Sequence, residues 1–150
     1  MSRMRELTLP TLNERLDFLI GFANKFKGEC SRNPYGINLT VEGIERYFKS
    51  RYRREKGEVF ISPYYFNFLG GDCDDQTISF IAYSDLFIKL GIVKPPIKIL
   101  VLKQILNDGK SMLHITQKDA VRMWDFLPYE LPSNMQIVKI IELPRNPLPM

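Results

Sequence analysis

The segment CDDQTISFIAYSDLFIKLG, Cys73 to Gly91, constrains the fold more than any other. From Thr77 to Leu90 its apolar residues fall on nearly every face of a helix, interrupted only by Asp85 and Lys89. Such a helix is stable only when most of its sides are covered, so the rest of the chain has to wrap it. The helix is expected from about Cys73 to Leu90, with Gly91 as its stop. Asp72 suits the N-cap and Asp75 the N3 position, which gives two of the three aspartates in GGDCDDQ structural work at the helix start.

What wraps this helix differs on its two sides in sequence. Upstream, TLNERLDFLIGFANKF carries Leu12, Leu16, Leu19, Ile20, Ala23 and Phe26 at helical spacing. Thr11 with Glu14 reads as a capping box, and Gly28 as a stop. A second helix is expected from Thr40, stapled by Leu39 and Ile44 and fading near Gly57. EVFISPYYFNFLGG, broken by Pro63, reads as extended chain and loop. Downstream, IKILVLKQIL, the hairpin turn NDGK and SMLHIT predict two strands, VRMWDF a third and MQIVKIIEL a fourth. The expected fold is therefore α+β: N-terminal helices, a central buried helix carrying Cys73, and an antiparallel sheet of about four strands packed on it.

A chain of 150 residues has the size of one domain. Residues 1–57 form its helical part and 68–143 the cysteine helix with the sheet; the proline-rich tail, 144–150, cannot continue a sheet. With two cysteines, Cys30 and Cys73, stability does not rest on a disulfide framework. The opening MSRMRELTLP lacks the apolar run of a signal peptide, and no stretch approaches the roughly 20 apolar residues of a membrane helix. These features predict reduced thiols, no membrane contact, and a cytoplasmic or virion-associated location.

The net charge of +4 is too small to argue for an anionic partner by itself. RYFKSRYRREK, from Arg46, has six positive charges interleaved with aromatics and reads first as a solvated helix face, which makes nucleic acid an unlikely partner. Asp72, Asp74 and Asp75 lack the glycine and distal glutamate of a calcium loop, and one histidine with two distant cysteines does not make a zinc site.

A thiol among three aspartates needs an activating partner to be a nucleophile. The chain has one histidine, His114, inside a predicted strand, and Asp125 lies on the next strand. A turn closed by Lys118 and Asp119 sets Asp125 diagonal to His114, and a longer loop sets them opposite. Both registers leave the two side chains on one face, since facing alternates with a period of two. Cys73 at the helix N-terminus gains from the helix dipole, and an imidazolium nearby would add to this, favouring the thiolate and rapid alkylation near neutral pH.

GGDCDDQTISFIAYSDLFIKLGI, followed by His114 in MLHIT and Asp125 in MWDFLP, resembles the nucleophile segment, histidine strand and aspartate strand of the transglutaminase-like superfamily over about Phe68 to Pro128. The chain has His114-Ile115-Thr116 where that family usually has His-Ala-Trp, and a shorter gap from His114 to Asp125. The resemblance implies a papain-type core with Cys73, His114 and Asp125 as a catalytic triad. It also implies a peptide or glutaminyl amide substrate and no metal or organic cofactor. Tyr64, Tyr65 and Asn67 are the upstream side chains that would assist an oxyanion hole, beside the Cys73 amide. The alternative expectation is a non-catalytic module of the same fold within a larger assembly, such as a virion. Cys30 has no base near it in sequence and is given no role.

Overall fold

Residues 9–54 and 60–143 are described by a computed structural model of the chain. The helices are α1 (Leu9–Asn24), α2 (Lys27–Cys30), α3 (Val41–Ser50), α4 (Pro63–Leu69) and α5 (Cys73–Lys89). They precede three strands, β1 (Lys98–Ile105), β2 (Ser111–Lys118) and β3 (Gln136–Glu142). The fold is α+β, as its sequence predicts, with one antiparallel sheet in the order β2-β1-β3.

α5 lies at the centre. Ile78, Phe80, Ile81, Tyr83 and Phe87 are fully buried, each contributing on the order of 1.5–3 kcal/mol through removal from water. Leu12, Leu16, Leu19 and Ala23 of α1 cover one side, and Ile99, Val101 and Ile115 of the sheet cover another. Its C-terminal end turns at Gly91, where φ is +76° and a side chain would be strained.

The helix beginnings follow local chemistry. Thr40 caps α3 by accepting from Gly43 N–H at 2.9 Å, and Ile44 is buried while Leu39 packs against the core, as a staple requires. α3 stops at Ser50, short of the expected end near Gly57, which itself lies outside the described residues. α1 begins at Leu9, ahead of the cap expected at Thr11, whose side chain also lies outside them, as does the proline-rich tail. α2 was not expected; it follows α1 after a short turn in which Phe26 N–H bonds Ala23 C=O at 3.0 Å.

Two larger corrections concern 58–71 and 121–126. The first contains α4, not only extended chain: Ser62 is its N-cap, Pro63 takes the first turn where no N–H is needed, and Phe66 is driven into the core. The second is not a full strand, so among the described residues the sheet has three strands instead of four. VRMWDF touches β2 through the single bridge Lys118↔Met123 and the bond from Trp124 N–H to Gln117 C=O at 2.9 Å. Beyond that point Trp124 and Phe126 turn into the aromatic core. Phe126 stacks on Phe48 at 4.5 Å and lies 5.7 Å from Phe80.

The hairpin of β1 and β2 runs in register from Lys98↔Lys118 to Ile105↔Ser111, so Leu102 faces His114 and Val101 faces Ile115. Its turn uses Gly109 at φ +83°. β3 pairs the other edge of β1, with a bulge where Val101 gives way to Leu102.

Candidate functional site

Gly70 and Gly71 deliver the chain to Cys73. At Gly70, φ is +74°, and a Cβ there would sit 2.4 Å from Arg51 C=O. At Gly71 a Cβ would fall 2.5 Å from the Asp75 side chain. Both positions are thus closed to larger residues: the first by conformation and backbone approach, the second by the capping carboxylate.

The three aspartates are all engaged. Asp72 accepts from Asp75 N–H and Asp75 accepts from Asp72 N–H, both at 3.3 Å, completing the capping box. Asp75, fully buried, also accepts from Ile61 N–H at 3.1 Å. Asp74 pairs with Arg15 of α1. The acidic residues around the thiol therefore tie α5 to its neighbours.

His114 is buried, and its Nε2 lies 2.8 Å from Asp125 Oδ1. The loop before Asp125 sets this meeting. Asp119 accepts from Val121 and Arg122 N–H and from Lys94 N–H, all at 2.8 Å, which closes a four-residue turn between Lys118 and Met123. Continued from Lys118↔Met123, the register puts Asp125 opposite Thr116 and diagonal to His114. Asp125 is diagonal to His114 as the first reading expects, but through a register four residues from that one and two from the other; the shared face survives because both slips are even.

Burial alone would raise the Asp125 carboxyl. The hydrogen bond and attraction from His114, with the Leu127 amide, carry it below the usual carboxylate value instead. An ionised carboxylate only accepts, so Nε2 carries the proton that joins the pair. His114 is thereby oriented by Asp125, with Nδ1 as its second ring nitrogen.

Cys73 meets β2 next to the histidine. The backbone amides of Ile115 and Asp74 lie close enough to its sulfur to favour the thiolate. No hydrogen bond joins Cys73 to His114 among the described residues. Imidazole and carboxylate are thus joined directly, while the thiol is brought to the amide following the imidazole. Burial first, then the Asp74 and Asp72 charges, push the Cys73 thiol well above its usual pKa despite those amides. This corrects the expectation of a ready thiolate: the dipole at the start of α5 is outweighed, and the resting sulfur is a neutral thiol. Both cysteines are free.

A buried amide network holds these parts in place. Gln76 donates to Phe48 C=O and to Phe126 C=O, both at 3.1 Å, linking α3, α5 and the residue after Asp125. Thr77 donates to Gln117 Oε1 at 2.7 Å, and Gln117 Nε2 donates to Trp124 C=O. Sequence reading passed over these glutamines because an isolated Gln carries no mark that it will be buried.

Tyr52 is the other group it passed over. A parallel bridge sets Tyr52 beside Gly71, so the phenol lies within electrostatic reach of Cys73. Burial first, then Tyr129 and Cys73, push it up to about 12, so it stays protonated and able to donate. The three expected oxyanion donors are placed otherwise. Tyr64 and Tyr65 are exposed on α4, and Asn67 accepts from Tyr47 Oη at 2.9 Å; none hydrogen-bonds Cys73 among the described residues.

No group of three or more His, Cys, Asp or Glu among the described residues could hold a metal ion, and no helix there is long and apolar enough to cross a membrane. Comparison of the chain with protein-family models, with curated proteins and with solved structures finds no match.

Proposed function

We propose that the chain is a thiol hydrolase or acyltransferase with a transglutaminase-like, papain-type core, acting on peptide or glutaminyl amides through Cys73, His114 and Asp125. One observation carries the reading. The only histidine is locked by Asp125 at 2.8 Å on the strand whose next amide lies close to the Cys73 sulfur.

In the proposed reaction the neutral thiol loses its proton to His114 Nδ1 as sulfur attacks the amide carbonyl. Asp125 holds the imidazolium that forms. The Cys73 amide and the Tyr52 hydroxyl are the donors suited to the developing oxyanion. The C–N bond then breaks, Nδ1 returns its proton to the leaving amine, and a thioester remains on Cys73. Water attacking that thioester completes hydrolysis, and an amine completes transfer. A resting neutral thiol suits this course, since proton removal is coupled to attack.

The test is covalent profiling with a peptide chloromethyl ketone and a glutamine-mimic probe, comparing the natural chain with Cys73→Ala and His114→Ala. The proposal expects labelling at Cys73 alone, lost in the first variant and slowed about 10²–10⁴-fold in the second. Equal labelling of natural chain and Cys73→Ala would leave a non-catalytic module of the same fold.

A further inference from the structure

The basic run that begins at Arg46 passes beside the thiol segment at residues 51–53. After α3, residues 51–53 lie along Gly71: Gly71 N–H bonds Arg51 C=O at 2.9 Å, and Arg53 N–H bonds Gly71 C=O at 2.7 Å. Two residues later comes Cys73. The Arg53 stem rides over the glycine pair, with its Cδ 3.2 Å from where a Gly70 Cβ would stand.

The arginines here differ in what they do. Arg51 is consumed by structure: its guanidinium lies 3.9 Å from the Tyr47 ring centre and its Nε donates to Asn67 C=O at 2.9 Å. Arg53 and Arg54 are exposed, and neither forms an ion pair among the described residues. Arg54 lies against the Tyr52 phenol, which meets the Tyr129 hydroxyl at 3.5 Å in an edge-to-face pair. The carboxylates near the thiol are meanwhile held in the capping box and by Arg15. The rim thus offers two guanidinium groups that no carboxylate among the described residues pairs with.

We infer that Arg53 and Arg54, framed by Tyr52 and Tyr129, form a carboxylate-recognising subsite, and that the acyl donor is a peptide with an acidic side chain next to the reacting carbonyl. The inference rests on the thiol-enzyme reading for its substrate class. Planar guanidinium groups receive a carboxylate in bidentate fashion, and the tyrosine pair gives the adjacent peptide a flat aromatic wall.

The experiment uses three chloromethyl ketone peptides that differ only in one flanking residue: Glu, Gln or Lys. The natural chain should label with the Glu probe at least about tenfold faster than with the Lys probe. Arg53→Glu with Arg54→Glu should reverse that order, and Arg54→Lys should keep it with a smaller ratio. An unchanged order in the double variant overturns the subsite, as does a preference for the Lys probe in the natural chain. Should no probe label the natural chain, the catalytic reading fails by itself. Fluorescence anisotropy of a labelled Glu-rich peptide on Cys73→Ala then decides the subsite: binding lost in the double variant upholds it, and no binding, or capture of single-stranded DNA in preference to the peptide, overturns it. Unchanged thermal melting of the variants shows that these exposed changes leave the fold intact.

Discussion

Cys30 ends α2 and Cys73 begins α5, and both thiols are pushed above their usual pKa, first by burial and then by a carboxylate next in sequence. Their surroundings differ in what opposes that push. Cys30 is fully enclosed, and its pKa rises from 9.0 to about 12 through burial and Glu29. Cys73 is partly exposed, has two backbone amides near its sulfur, and sits beside a strand that carries an oriented imidazole. Burial makes a thiol inert in both places. What sets Cys73 apart is the neighbouring imidazole and the Ile115 amide, both from the sheet, and the Asp74 amide of its own helix.

The comparison can be broken most sharply by deletion. Cys73→Ala is expected to lower turnover by about 10⁴-fold or more, and Cys30→Ala to leave it within about twofold; steady-state rates on a peptide amide measure both. Asp125→Asn comes next. It leaves the imidazole facing an amide that can donate, favours the wrong tautomer, and should cost about 10²–10⁴-fold in kcat with little change in KM.

Smaller effects sharpen the contrast. Gln76→Leu strands the carbonyls of Phe48 and Phe126 and should cost about 1–3 kcal/mol in urea unfolding, with activity falling as the Asp125 segment loosens. Iodoacetamide should alkylate native Cys73 slowly at pH 7, with a rate rising about tenfold per pH unit below its pKa, while Cys30 reacts only after unfolding. Stability should also fall as pH rises above about 9. In that range the folded chain still holds the Cys30 proton that the unfolded chain has released, and the loss continues until about pH 12. Cys30→Ala should flatten this decline at a cost of about 1 kcal/mol near neutrality, both read from thermal melts across pH.

What could be read from the sequence was what is decided locally. The cap at Asp72 and Asp75, the apolar girth of α5 and the NDGK turn each depend on a few consecutive residues, and each appears in the structure. The shared face of His114 and Asp125 was legible too, because strand parity survives any even error in register. α4 was missed because Pro63 and three aromatics look like a break, although Ser62 before a proline is itself a helix-start signature. The fourth strand was overread: Trp124 and Phe126 are drawn by Phe48 and Phe80, contacts of long sequence separation that outweigh local β preference. Tyr52 and the two glutamines gain their positions from tertiary packing alone, so no local pattern marks them.

The approach of the Ile115 amide to sulfur has a consequence for how this region can change over generations. The side chain at 115 points into the core opposite Val101, while its peptide N–H serves the thiol. Valine, leucine or methionine there would alter packing and leave that donor untouched. Proline alone, having no amide hydrogen, would delete it. An interaction written in the main chain is thus sheltered from most drift, and can outlast many changes in the letters around it.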